Sequence, residues 1–216
     1  MIILTDTKQK GKTKMMTKGY TVEELKSMVV ARLEHIDHVR EDEFHLPIAR
    51  DLVIVFKIKK EMTVYGRLTH DIYTRLFGQD DVAEAFIKIL KKTAKEEPVM
   101  MHGLHGVVSG MLGVEEEEDA DTVVVVSNED MMFGAIAILY EGVVEKLCER
   151  LDTHKLIMIP SSIHEVIVMP YSDEAAEGIN SMIREINTTQ VDECDRLSDH
   201  AYVIDYDEIE FYSLND

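Results

Sequence analysis

Apolar and polar positions fall into two ordered blocks along this chain. In the first, Thr21 and Glu24 stand at capping-box spacing. Leu25, Met28, Val29, Leu33 and Ile36 follow at helical intervals and predict a helix that ends in the charged stretch 34–43. Residues 52–58 (LVIVFKI) are continuously apolar at first and predict an interior strand. Residues 63–68 (TVYGRL) predict a second strand, joined to the first by a short hairpin loop. A helix over 70–77 stops at Gly78. Asp81 and Glu84 open another, with Val82, Ala85, Phe86, Ile89 and Leu90 as its inner stripe.

In the second block, residues 122–126 (TVVVV) predict a buried strand by their β-branching. Ser127 or Asn128 then caps a helix that breaks near Gly142 and restarts. Residues 156–159 and 165–169 predict two strands joined by a turn at 160–163. Ser172 or Asp173 caps a last helix with Ala176, Ile179, Met182, Ile183 and Ile186 inward, and residues 202–206 add a final strand. Between the blocks, Gly103, Gly106, Gly110 and Gly113 precede an acidic run, so residues 99–121 predict a linker, with a short helix over 104–112 as the alternative.

The expected fold is α+β, with antiparallel β-hairpins packed with helices. A basic flexible arm (1–20) leads into an N-terminal half (21–98), and a C-terminal half (122–210) completes one compact domain. Each half runs a strand into a polar cap and a helix, at Leu68-Thr69-His70-Asp71 and at Val126-Ser127-Asn128-Glu129. A duplicated unit fits this pattern; the ordinary way a strand meets a helix fits it better.

Charge changes the picture most. The chain of 216 residues carries a net charge of −19. Five lysines against Asp6 leave residues 1–20 at +4, so residues 21–216 carry −23. Such a field supports solubility and repels phosphates, which disfavours direct nucleic-acid binding, DNA mimicry being a minor alternative. An acidic protein suits a basic protein partner. Cys148 and Cys194 have no metal-type spacing, and two cysteines in a chain this long suit a reducing cytosol. No apolar run is long enough to span a membrane, and the start does not read as a secretory signal. Met15 or Met16 would serve as an alternative start. No cofactor is expected: Gly11-Lys12-Thr13 lacks the upstream glycine of a phosphate loop, where Asp6 stands instead.

Several ordered pieces carry a resemblance: LPIARDLVIVFKI, TVYGRLTHDIYTRLFG, VVVVSNEDMMFGAIAILYEGVVEKL, LIMIPSSIHEVIVMP, and INSMIREINTTQV followed by LSDHAYVIDYD. Together they span roughly residues 45–207. The chain resembles a bacterial domain-of-unknown-function family, family 5688, found in anaerobic Gram-positive bacteria. The resemblance implies a cytoplasmic protein and brings no catalytic residues. Part of the family's usual N-terminal region looks absent here, and Glu141 stands where the family pattern has proline.

Ser161, Ser162, His164 and Glu165 form the tightest polar group in an apolar neighbourhood. Hydroxyl, imidazole and carboxylate are the types a nucleophilic relay needs. Against that reading, His164 and Glu165 point to opposite faces of a following strand, and no nucleophile elbow is present. Serines in a turn commonly bond their own backbone. The preferred reading is a structural corner in a non-catalytic binding or regulatory protein, with Ser162, His164, Asn128 and Glu129 as candidate contact residues. The rival is a hydrolase or small-ligand enzyme using this turn. His102 and His105 have a plausible metal spacing, with Glu115 to Asp119 as further ligands, but a solvated loop is the simpler reading. His35, His38 and His45 among their acidic neighbours could take a cation, but a charged, exposed helix end is the simpler reading. Met131, Met132 and Phe133 read as core packing.

Overall fold

A computed structural model describes residues 4–7, 14–17, 20–60, 65–78, 80–103, 122–208 and 210–214. Two strands, β1 (Leu4–Thr7) and β2 (Lys14–Thr17), pair antiparallel within the expected arm.

Helix α1 (Val22–Ser27) begins as expected. Thr21 N donates to Glu24 Oε2 at 2.6 Å, and Glu24 N donates to Thr21 Oγ1 at 3.2 Å. The helix then stops, and residues 29–35 form strand β3 (Val29–His35), not a helical continuation. Val29, Val30, Ala31, Arg32 and Leu33 are all buried, so the strand is covered on both faces. Such a strand shows a continuous apolar run, which imitates helical spacing at Leu25, Val29 and Leu33.

Strand β5 (Leu52–Lys59) is the centre of a four-stranded sheet. It pairs β3 along one edge; β4 (His45–Pro47) and β6 (Tyr65–Arg67) share the other edge end to end. Helix α2 (His70–Phe77) is capped by Thr69 and ends at Gly78, whose φ of +68° only glycine adopts cheaply. Helix α3 (Val82–Glu96) is capped by Asp81 and buries Ala85, Ile89 and Thr93, while Val82 is exposed instead of inward. Thr93 Oγ1 accepts Ala31 N at 3.1 Å, so α3 satisfies a donor on the edge of β3.

The second sheet has six antiparallel strands in the order β12-β11-β9-β10-β8-β7. They are β7 (Val99–Gly103), β8 (Val124–Asn128), β9 (Lys155–Ile159), β10 (Val166–Pro170), β11 (Tyr202–Asp205) and β12 (Glu210–Ser213). The start of the expected linker is therefore strand β7, paired with β8 from Val99↔Asn128 to Gly103↔Val124. Residues 104–121 lie outside the described residues.

The helix expected from residue 128 does not form. Met131 and Phe133 have φ of +52° and +55°, which no α-helix tolerates. A 3₁₀ helix (Gly134–Leu139) follows, and the break expected near Gly142 precedes α4 (Val143–Leu151). The last helix is also split, into α5 (Asp173–Ala176) and α6 (Ile179–Thr189). Helix α6 buries Ile179 and Ile183, whereas Met182 and Ile186 face solvent.

Alternation places the core. Leu33, Ile54 and Phe56 of the first sheet, Val126, Met158, Val168 and Tyr202 of the second, and Ala135 to Ile138 between them meet in one core. Ile157 and Ala201 face the other way and pack under α6 against Ile179 and Ile183. The turns that leave β8 and β9 emerge beside each other, because β10 pairs with both strands.

Candidate functional site

Two bends share this end of the six-stranded sheet: residues 128–133 after β8, and residues 160–165 between β9 and β10. The second bend is held from within. Ser161 Oγ and Ser162 Oγ donate to Glu165 Oε1 at 3.1 and 3.0 Å, His164 N donates to Ser162 Oγ at 3.0 Å, and Ser162 N donates to Glu165 O at 3.2 Å. Ile163 N donates to Asp195 O at 2.9 Å, which ties the bend to the segment before β11.

His164 joins the two bends. Its carbonyl accepts Ser127 Oγ at 2.7 Å and Gly134 N at 3.0 Å. Its Nδ1 accepts Phe133 N at 3.0 Å. A ring that accepts at Nδ1 carries its neutral-form proton on Nε2. That Nε2 faces Asp195 Oδ2 at 3.7 Å, beyond hydrogen-bond reach.

The first bend is held by Asn128. Its Nδ2 donates to Met132 O at 2.8 Å, and its Oδ1 accepts Met132 N at 3.1 Å. A buried amide thus closes a loop whose backbone is left-handed at Met131 and Phe133. Each such residue costs on the order of 1–3 kcal/mol. Glu129, Asp130, Met131 and Met132 are exposed, the two methionines at 37% and 38%. The core-packing expectation for these methionines fails, because the bend turns them outward before the 3₁₀ helix begins.

Phe133 leads inward. Its ring meets His164 at 5.3 Å and Tyr65 edge-on at 5.1 Å, and the Arg32 guanidinium lies 5.8 Å from its centre. Arg32 donates through Nη2 to Glu97 Oε1 at 2.8 Å and to Tyr65 OH at 2.9 Å, and through Nη1 to Ala31 O at 2.9 Å. Lys59 Nζ reaches the same Glu97 Oε1 at 2.5 Å. Burial pushes the Glu97 carboxyl up, but Arg32 and then Lys59 outweigh it and hold the group below the usual carboxylate range. Burial raises the Tyr140 hydroxyl well above its ordinary value. Arg32 Nε, Glu97 Oε2 and Tyr140 OH are buried without a hydrogen-bond partner.

The structure brings Ser161, Ser162, His164, Glu165 and Asn128 together, with Glu129 next to them on the rim. It does not link them as a relay. The hydroxyls donate to Glu165, and the imidazole is occupied by a backbone amide, so neither serine is placed to pass a proton to His164. Among the described residues, no group of three or more histidine, cysteine or acidic side chains is placed to hold a metal ion. His102 is exposed on β7, while His105, Glu115 and Asp119 lie outside the described residues. No described helix is long and apolar enough to cross a membrane.

Sequence reasoning missed Phe133, Arg32, Tyr65 and Glu97 as neighbours of the bends. One signal existed: Arg32 interrupts an apolar run, and a charge there must be paired once buried.

No curated protein matches the chain, and no solved structure does. A family of unknown function, DUF5688, matches it over residues 2–207. That span takes in almost all of residues 1–44, which the sequence resemblance left outside. The protein belongs to this family, DUF5688.

Proposed function

We propose that the protein is a non-catalytic binding module of the cytosol, working through protein contact at the two joined bends. The observation that supports this reading most is the exposed pair Met131–Met132 on a backbone strained at Met131 and Phe133 and clamped by a buried asparagine. A surface loop without a task relaxes; this one is held in an unfavourable conformation that presents two adaptable apolar side chains. The surroundings indicate the partner's charge. Segments 127–133, 160–165 and 191–195 contain Glu129, Asp130, Glu165, Asp192, Glu193 and Asp195, against Arg196, which follows them and donates through Nε to Val191 O at 3.2 Å. A basic segment with an apolar anchor fits such a face, its charges steering the encounter and the methionines packing the contact.

The test is site-specific photo-crosslinking in cell extract. A benzophenone side chain replaces Met132 in one variant and Lys95, exposed on α3, in another. The expected result is a discrete protein adduct from position 132 alone. It weakens with added salt and with Glu129→Lys/Asp130→Lys. The same adducts from both positions, or an adduct indifferent to the charge reversal, would overturn the proposal.

A further inference from the structure

We propose that Asp51, with His35, Ser198 and Tyr202 around it, is a proton-sensitive latch. It fastens the segment 192–201, and through it the 160–165 bend, to the four-stranded sheet. The importance of the bend rests on the binding reading above; the latch does not.

Asp51 stands just ahead of β5, and His35 closes β3. Their carboxylate and imidazole meet at the end of the four-stranded sheet, with His35 Nε2 3.4 Å from Asp51 Oδ2. His35 Nδ1 accepts Asp37 N at 3.1 Å, which directs the Nε2 proton towards Asp51. From the other half of the chain, Ser198 Oγ donates to Asp51 Oδ2 at 2.7 Å, and the Tyr202 hydroxyl donates to Asp51 Oδ1. Both residues are almost fully buried. One carboxylate thus gathers donors from β3, from the approach to β11 and from β11 itself.

The latched segment reaches the bend at its other end. Asp195 O accepts Ile163 N at 2.9 Å, and Asn187 Nδ2 of α6 donates to Ser198 O at 2.9 Å and to Asp199 Oδ1 at 2.7 Å. Loosening at Ser198 therefore frees the chain that supports the carbonyl under Ile163.

The charges around the pair set the direction. Asp37 and His38 share the turn with His35; Asp199 and His200 face it from the segment before β11; Arg50 precedes Asp51 in the chain and is exposed. His200 Nδ1 is buried without a hydrogen-bond partner. The Asp51 carboxylate, 3.4 Å from Nε2, holds the His35 imidazole above its ordinary 6.5, against burial and with help from Asp37 and Asp199. Burial pushes Asp51 up, but the nearby His35 imidazole and the bond from Ser198 outweigh it and keep the carboxyl below its ordinary 3.8. The pair is intact between those limits. A raised imidazole gives stability that is present at lower pH and lost as pH rises through its folded value. Above that point Asp51, Asp37 and Asp199 surround an uncharged His35, the charge attraction between His35 and Asp51 is gone, and the latch loosens.

Hydrogen exchange on the full chain reads this without any partner. Rates are corrected for intrinsic exchange and compared from mildly acidic to alkaline pH, so that the raised imidazole goes from charged to neutral. Peptides over 192–202 and 160–165 are expected to lose roughly two- to fivefold in protection, while β5 and β9 hold theirs. His35→Gln keeps a donor near Asp51 but cannot titrate, so the step vanishes; His38→Gln retains it. Flat protection in the wild type, or a step that survives His35→Gln, overturns the latch. A failed crosslink at position 132 counts against the binding reading alone, because exchange in 192–202 is measured in its absence.

Discussion

Gly134 is the point where the two bends press closest. A Cβ built on it lies 2.4 Å from Ser127 Oγ, 2.5 Å from Asn128 N and 2.8 Å from His164 O. Ordinary carbon contacts begin at about 3.5 Å, so Gly134→Ala needs about 1 Å of extra room. Ser127 can rotate its hydroxyl away; the two backbone atoms cannot. Moving the 3₁₀ helix back by that amount stretches Gly134 N→His164 O from 3.0 Å and Ala135 N→Ile163 O from 3.3 Å beyond bonding range, and the rotated Ser127 loses His164 O at 2.7 Å. Three bonds at about 1 kcal/mol each, with a modest overpacking strain, give a loss of about 4 kcal/mol. For a chain of this size that lowers Tm by about 10 °C. Thermal and urea melts followed by circular dichroism measure it. Adding Ser127→Ala removes one of the three clashes only, so the double variant stays close to Gly134→Ala. A Tm for Gly134→Ala within about 2 °C of wild type would refute the reasoning, because it would mean that the bends have room to part.

Two more predictions concern buried charge and backbone strain. Glu97→Gln leaves Arg32 and Lys59 facing a neutral amide and is expected to cost about 3 kcal/mol, whereas Arg32→Met/Glu97→Met costs clearly less than the two single changes added together; additive losses in a urea-melt cycle would show that the ions are not coupled. Asp152 ends α4 with φ of +48° and is exposed, so Asp152→Gly is expected to stabilise by about 0.5–1 kcal/mol, seen as a small rise in Tm, and a fall would show that the side chain contributes more than its strained backbone costs.

The sequence conveyed most where a signal is local. Thr21 with Glu24, Thr69, Asp81 and Ser172 each bond the amide their spacing predicted. The strand at 52–58 and the hairpin at 156–169 are legible because β-branched runs stop at turn residues. Legibility failed where the local signal was ambiguous or absent. Val29, Ala31 and Leu33 alternate with buried Val30 and Arg32, and a strand covered on both faces has no polar face to give its period away. Met131 and Phe133 adopt left-handed backbone although neither residue type favours it, so a helix was the natural expectation for an apolar stretch behind a capping residue. The meeting of Asp51 with Ser198 and Tyr202 lies further still from sequence reasoning, since no spacing rule spans 147 and 151 residues. For the bends, proximity was legible and the pattern of bonding was not. Neighbouring serine, histidine and carboxylate were expected either as a relay or as a corner, and the choice depended on Phe133 N, which occupies the imidazole from the other bend.

That choice also separates two kinds of surface. A nucleophilic relay needs a hydroxyl that donates to an imidazole nitrogen. Here Ser161, Ser162, Asn128 and the Nδ1 of His164 are already bonded inside the bends. What faces outward is Met131, Met132, Glu129 and Asp130. A partner can cover these side chains without breaking a bond that holds the bends together, so association need not be opposed by the fold. The inward polar groups fix the shape, and on the proposed binding reading the outward apolar and acidic groups would supply the contact. On that division, changing Ser162 or His164 should act through the shape of the face, whereas changing Met132 or Glu129 should act on binding with the fold intact.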